Sequence, residues 1–299
     1  MSESKKVFFI INKFSGGLYH ARLEGRIIDE CRTLGYDASL QFTKHRGHAT
    51  ELAQQAVAER YNQVFAVGGD GTVNEVARGL VHTGIPMGII PKGSGNGLAR
   101  HLGLPMSIPQ AVAVMKALQQ VNIDTFLVNG HLGVNVAGVG FDGHVAGMFG
   151  TKSKRGLWGY AQLVLREYVR FSEFGVTLIY NGTTENDTAF TVAFANSSQF
   201  GNNAKIAPRA SVCDGYLEVC RARKIPLPSL PAFLWRLFNG QLHTSQFVHS
   251  RQLRDLQVRL PVATPYHVDG EPFAPEQQFH IQVQPASLAV LVPHAHRKL

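Results

Sequence analysis

Val67-Gly68-Gly69-Asp70-Gly71-Thr72-Val73-Asn74-Glu75 is the stretch on which the reading of this chain turns. It follows Val64–Val67, a short apolar run typical of a buried strand, and opens a helical pattern from about Val73 to Leu80. Glycines at such a junction let the backbone take positive φ and approach a ligand closely. Their N–H groups, backed by a helix N-terminus, suit phosphate. A carboxylate in a phosphate loop needs a reason. Asp70 would repel phosphate unless a divalent cation stands between them or the acid handles a proton, and either role fits phosphoryl transfer. The bland alternative is an ordinary strand-to-helix turn.

Working outward, Val7–Ile11 reads as a first strand, Leu18–Leu34 as a helix and Ala38–Phe42 as a second strand. Gly47–Ala58 reads as a helix, Met87–Ile90 as a fourth strand, and Gly95–Leu102 and Ile108–Leu118 as helices. Short apolar strands alternating with helices argue a parallel sheet covered on both faces. Three more loops would share the edge of Gly68–Asn74: Asn12–Gly17 after the first strand, Thr43–His48 after the second, and Ile90-Pro91-Lys92-Gly93-Ser94-Gly95-Asn96-Gly97 after the fourth. Ligands of open α/β folds bind at that edge.

The pattern changes after about Asp124. Strand-like runs dominate at Leu132–Ala137, Val176–Tyr180, Ala189–Ala195, Tyr216–Arg221, Leu256–Leu260, Phe279–Val283 and Leu288–Val292, with turn clusters such as Asn181-Gly182 and Pro272–Pro275 between them. This pattern reads as antiparallel β, a sandwich or barrel, with helices near Leu157–Phe171 and Leu230–Phe238. We therefore expect an α/β nucleotide-binding domain over 1–128 and an all-β domain over 129–285.

The 299 residues suit two domains. The formal charge is +8, with net +2 in residues 1–150 and net +6 in 151–299, which favours an anionic partner. Three cysteines make neither a disulfide framework nor a zinc set, so reduced thiols and a cytoplasmic setting are expected, with Cys213 and Cys220 in or near the core. No apolar run reaches the ~18 residues of a membrane span. No P-loop lysine motif and no Gly-x-Ser-x-Gly elbow occurs. Gly138-Val139-Gly140-Phe141-Asp142-Gly143 fits the dinucleotide pattern, but the acid about 20 residues on, Glu167, falls in a helix-like stretch.

At Gly68–Asn74, Pro91–Asn96 and Thr43–Ala49 the chain resembles the diacylglycerol and sphingosine kinase catalytic-domain family, in its bacterial lipid kinase branch, related to NAD kinases. Gly138–Asp142, Ile206-Ala207-Pro208 before Asp214-Gly215, and Val268-Asp269-Gly270-Glu271 agree, in family order. The resemblance implies a Rossmann-like α/β domain, completed by 286–299 through a returning last strand at Leu288–Val292, and a β-sandwich lipid-binding domain, with the active site in the cleft between them. It implies ATP held by Asn12, Thr43, Gly68, Gly69, Asp70, Gly71, Thr72, Val73, Asn74, Gly93 and Ser94. It makes Glu271 the general base and Asp70 an acid important for catalysis. It assigns Mg²⁺ to Asp214 with the carbonyls of Ser211 and Tyr216, and gives Asp124 a place in an acidic network. Gly97 stands where many bacterial diacylglycerol kinases have Asp, a form closer to the sphingosine and ceramide branch.

These residues leave choices open. Asp70 could be the base with Glu271 on the metal, and Asp269-Gly270-Glu271 or Asp214-Gly215 could be plain turns. Lys152, Lys154 and Arg155 before Leu157-Trp158-Gly159-Tyr160, with Arg166 and Arg170 beyond, suit an anionic membrane surface or else a helix packed on the sandwich with its cations solvated. A lipid substrate and peripheral membrane association are expected, nucleic acid is not, and self-association is compatible with the sequence. The rivals are a kinase acting on the ribose of NAD and a nucleotide- or lipid-binding protein without turnover.

Overall fold

The structure is a computed structural model; the described residues are 4–16, 22–149 and 157–294, with 149 and 157–163 described by their backbone alone. The chain forms two compact units, Met1–Thr125 with Pro285–Leu299, and Phe126–Gln284.

The first unit alternates strand and helix: β1 (Lys5–Ile11), α1 (Arg22–Thr33), β2 (Tyr36–Phe42), α2 (His48–Ala58), β3 (Gln63–Gly68), α3 (Asp70–Leu80), β4 (Met87–Pro91), α4 (Gly97–His101), α5 (Ile108–Ala113) and the start of β5 (Leu118–Val128). β1 pairs in parallel with β2 and β3, and β3 with β4. The β1 run is buried throughout from Val7 to Ile11, as a strand covered on both faces must be. Phe9 stacks on Phe65 at 5.0 Å between ring centroids, within a core that includes Ile27, Cys31, Ile90 and Met115. The expected helix over Gly95–Leu102 shortens to α4, and the one over Ile108–Leu118 ends in a 3-10 turn at Val114–Ala117. Leu18, the expected start of α1, lies outside the described residues.

The second unit continues with β6 (His131–Gly133), β7 (Val136–Gly140), α6 (Phe141–Phe149), α7 (Leu157–Arg170), β8 (Phe174–Tyr180), β9 (Thr183–Ala189), β10 (Thr191–Ala195), β11 (Leu217–Ala222), α8 (Leu230–Asn239), β12 (Val248–Leu253), β13 (Asp255–Val268) and β14 (Glu271–Pro293). Its ladders are antiparallel, with β7 between β10 and β13, and β11 carrying β12 outward from β10. The core packs Phe126, Val139, Phe194, Val258, Tyr266 and Phe279 together. The last part of β14 belongs to the first unit, where Val290 pairs in parallel with Met87.

Several sequence expectations change here. Phe279–Val283 and Leu288–Val292 are parts of one strand, and Pro272–Pro275 lies inside it, so that cluster is not a turn. The turn is Asp269-Gly270, with φ of +50° and +83°, the pattern of a tight two-residue hairpin. The same pattern closes β8 and β9 at Asn181-Gly182. α6 was read as part of a β region. Its entry turn explains the glycines: a Cβ on Gly138 would overlap the Asp142 carboxylate, and Gly140 has φ +102° with the Phe190 carbonyl 2.7 Å from a Cβ position. Cys213 is exposed, because it sits in the turn before Gly215 and not on a strand.

The β13–β14 hairpin is fixed by one carboxylate. Asp269 accepts the N–H groups of Val134 (2.8 Å), Asn135 (2.9 Å) and Val136 (3.0 Å), and returns its own N–H to the Val136 carbonyl at 3.0 Å. Asp269→Ala would strand three amides and place an alanine in the left-handed region. We expect a loss of about 2–4 kcal/mol of unfolding free energy, measured by urea denaturation followed by circular dichroism.

Candidate functional site: the glycine-loop edge and the acidic hairpin

Four loops of the first unit leave the C-terminal ends of β1 to β4 together, because parallel strands end on one edge. They are tied at the backbone: Asn12 N–H donates to Val67 O (2.9 Å), Thr43 N–H to Ile11 O (3.0 Å) and Lys92 N–H to Gly68 O (2.7 Å). Side chains add to this. Asn12 Nδ2 donates to Thr72 Oγ1 at 3.0 Å, and Asn12 Oδ1 accepts the N–H of Phe14 at 2.9 Å.

Asp70 joins two loops. Its Oδ2 accepts the N–H of Asn96 at 2.8 Å and its Oδ1 that of Gly97 at 2.7 Å. Asn96, at φ +52°, closes the same loop by accepting from Gly93 N–H (3.0 Å) and donating to Gly93 O (2.8 Å). Burial pushes the Asp70 carboxyl up from the ordinary aspartate value, and the two amides pull against it. The backbones meet so closely that a Cβ on Gly93 would lie 2.6 Å from Gly69 Cα. Lys92 binds the third loop through its ammonium, which donates to Lys13 O (3.3 Å) and to Ser15 O; burial pulls that ammonium below the ordinary lysine value.

These loops enclose a cavity of ≈400 Å³ lined by Asn12, Thr43, Gly69, Gly71 and Thr72, with Phe14, Ser15, Glu75 and the basic run Lys44-His45-Arg46. Polar side chains, loop glycines, a helix N-terminus and cations suit a polyanion. Of the residues read from the sequence as nucleotide contacts, Gly68 ends β3, and Val73 and Asn74 are buried on α3. Asp70, Gly93 and Ser94 do not line this cavity; Ser94 is exposed on the neighbouring loop. Glu75 was overlooked, although it ends the quoted motif. Its Oε2 accepts the N–H of Ala49 at 3.1 Å and its carbonyl accepts Thr50 Oγ1 at 2.7 Å, fixing the start of α2. Lys92 was also overlooked, although it stands inside a glycine loop.

Among the described residues, His45, His48 and Glu51 offer ligand atoms within 4.8 Å of one another. His48 Nδ1, however, accepts the N–H of Lys44 at 3.1 Å. In the neutral ring that leaves the proton on Nε2, so Nε2 is a donor and not a metal ligand.

In the second unit Glu271 is half-buried, opposite Val268 at the start of β14. Beneath the turn, His267 Nδ1 accepts Gly270 N–H at 3.1 Å while its Nε2 stands 3.7 Å from Asp142 Oδ2. The Gly138–Asp142 and Val268–Glu271 segments therefore meet. Asp214 is exposed; its Oδ1 accepts the N–H of Tyr216 at 3.0 Å and its Oδ2 accepts from Gln252 Nε2 at 3.0 Å. The donors read there for a metal, this carboxylate and the carbonyls of Ser211 and Tyr216, are all oxygen, which suits a hard, water-rich cation such as Mg²⁺. Asp124 belongs to the first unit, is 2% exposed, and accepts the N–H of Ala286 at 2.7 Å.

The family model "Diacylglycerol kinase catalytic domain" matches residues 6–128, and "YegS C-terminal NAD kinase beta sandwich-like domain" matches residues 135–292. The chain belongs to the diacylglycerol kinase catalytic-domain family. As a kinase of this family it is 30% identical to a protein named "Diacylglycerol kinase" from Mycobacterium tuberculosis, over 91% of this chain and 88% of that one. It is 29% identical to a "Probable lipid kinase YegS-like" of Pectobacterium atrosepticum, over 98% of both. A crystal structure of a diacylglycerol kinase from Bacillus anthracis shares the fold, with a TM-score of 0.78 at 20% identity over 99% of both chains. The glycines of this family member's loops are required by mutual approach. Gly93→Ala drives a methyl group into the Gly69 backbone, and we expect a loss of about 1–3 kcal/mol, read as a lowered midpoint in thermal unfolding.

Proposed function

We propose that this chain is an ATP- and Mg²⁺-dependent lipid kinase that transfers the γ-phosphate to a lipid hydroxyl at the membrane surface. Diacylglycerol is the first choice of acceptor and a sphingoid-type lipid the second. The observation that carries this reading is the polar, basic cavity at the glycine-loop edge in a chain of the diacylglycerol kinase family. Asn12, Thr43, Gly69, Gly71 and Thr72 line it and are the proposed ATP contacts. Gly68, Asp70, Val73 and Asn74 on the same motif, and Gly93 and Ser94 on the next loop, do not line it and are proposed as further parts of the nucleotide site. The cytoplasmic side of the membrane is the proposed place of action. No helix of the described residues is long and apolar enough to cross a membrane.

A lipid hydroxyl is a weak nucleophile. Its oxygen attacks the γ-phosphorus, ADP leaves, and the hydroxyl proton must go to a base. Glu271 is the proposed acceptor of that proton. Both Asp70 oxygens already accept backbone amides, which supports a positioning role for Asp70 and leaves the base role to Glu271. Magnesium would supply neutralisation of phosphate charge, with Asp214 and the carbonyls of Ser211 and Tyr216 as its proposed holders. Asp124 is the proposed outlying acid of that network. The membrane contact first read at Lys152, Lys154 and Arg155 lies outside the described residues, as do the side chains of Trp158 and Tyr160.

The decisive assay presents labelled ATP with a panel of dispersed lipids and, separately, NAD. Label in a phospholipid product is expected; label in NAD with none in lipid overturns the reading. Glu271→Gln should leave ADP binding by calorimetry unchanged and lower kcat by about 10²–10⁴; unchanged kcat removes Glu271 as base. Asp70→Asn turns an amide donor toward a backbone N–H, so activity should be lost at saturating Mg²⁺. Full activity would refute the role given to that carboxylate.

A further inference from the structure

α8 reads Leu-Pro-Ala-Phe-Leu-Trp-Arg-Leu-Phe-Asn, apolar on every side except at Arg236 and Asn239. Its inner residues Phe233 and Leu237 pack on the buried cluster of Ile206, Cys220 and Leu242. Its outer residues are uncovered: Leu234 is 41% exposed, Trp235 57% and Phe238 50%. A helix that only closes a core carries polar residues on that side. The apolar strip continues toward the N-terminus. Leu227, 55% exposed just before the helix, shares a ≈460 Å³ groove with Val169 of α7, itself exposed. Those two segments are bonded together: Tyr168 Oη donates to Ile225 O at 2.6 Å, and Lys224 Nζ donates to Phe171 O at 2.6 Å. An exposed apolar strip of this extent marks an interaction surface.

The charges choose the occupant. Lys224 precedes the helix, Arg236 lies on it, and Lys205 caps its last turn by giving its N–H to Leu237 O at 3.0 Å. No acidic residue occurs between Arg223 and Arg254, and Glu173, which lines the groove, is engaged by the backbone N–H of Lys224 at 2.6 Å. Two copies meeting on this face would oppose like charges. Aromatic and aliphatic side chains set among cations match the boundary between anionic headgroups and acyl chains. We propose that the outer face of α8, with Leu227, docks on an anionic phospholipid bilayer. The proposal rests on the lipid kinase reading only in that the acceptor lies in the same bilayer.

The test uses the full chain with vesicles of phosphatidylcholine alone or with phosphatidylglycerol, read by co-sedimentation. The wild type should bind the anionic vesicles, more weakly at high salt. The triple variant Leu234→Gln, Trp235→Gln, Phe238→Gln should lose about tenfold or more of that affinity. Its melting temperature and its activity on a short-chain, water-soluble diacylglycerol should not change. In a Trp158→Phe background the emission of Trp235 should shift to the blue on adding anionic vesicles. Unchanged binding by the triple variant, or no shift of Trp235, overturns the docking surface. So does a wild-type dimer in analytical ultracentrifugation that the triple variant abolishes while neither protein binds vesicles. Vesicle binding through α8 without phosphorylation of the short-chain lipid would remove diacylglycerol as the acceptor and leave the docking surface standing.

Discussion

Two backbone amides, from Asn96 and Gly97, converge on the carboxylate of Asp70, and the glycine-loop edge depends on that convergence. The acid lies on the first turn of α3, where the helix dipole favours negative charge. It reaches across to the start of α4 and locks the loops after β3 and β4 to each other. Close approach then excludes side chains: a Cβ on Gly95 would lie 2.8 Å from Asp70 Oδ2, and one on Gly93 would meet Gly69. The glycines of the two motifs are therefore needed by each other before any ligand arrives. Lys92 adds the loop after β1, through carbonyls that its ammonium satisfies.

The second unit repeats the device. Asp269 sits in a tight turn and gathers three amides from the strand connection ahead of β7. A half-buried acid that accepts several N–H groups fixes a loop, because each amide left unpaired would carry a desolvation cost. His267 and Asp142 stand beneath the same turn, so two motifs far apart in sequence form one packed feature. Family motifs of this kind contain two sorts of residue: those free to meet a ligand, and those that hold the loop on which the first sort stand. Spacing alone does not separate them.

α8 shows the limit of pattern reading from the other side. Its sequence announces a helix plainly, and an apolar helix is ordinarily buried. Packing decides that Phe233 and Leu237 lie against the buried cluster while Leu234, Trp235 and Phe238 stay exposed. The outward aromatic side chains become visible as a surface only when the neighbours are known.

Local rules carried much of this protein. Alternation of apolar strands and helices set out the parallel sheet of the first unit, the pair Asn181-Gly182 marked a hairpin, Asp269-Gly270 stood open between a turn and a site segment, and the glycine loops marked one edge of the sheet, because strand burial, positive φ and close backbone approach each restrict residue type at a single position. Pro272–Pro275 misled, since a strand can take a proline where its ladder is irregular: Pro275 falls at a register shift of β13 and β14, and Pro272 sits opposite His267 near the hairpin end. What tertiary structure alone decided is where each carboxylate points. Asp70 and Asp124 look alike in sequence as candidate acids and Asp269 as part of a turn, yet each spends oxygens on amides brought from distant parts of the chain. Those partners are chosen by how strands stack and loops meet, a relation between positions far apart that no local pattern encodes.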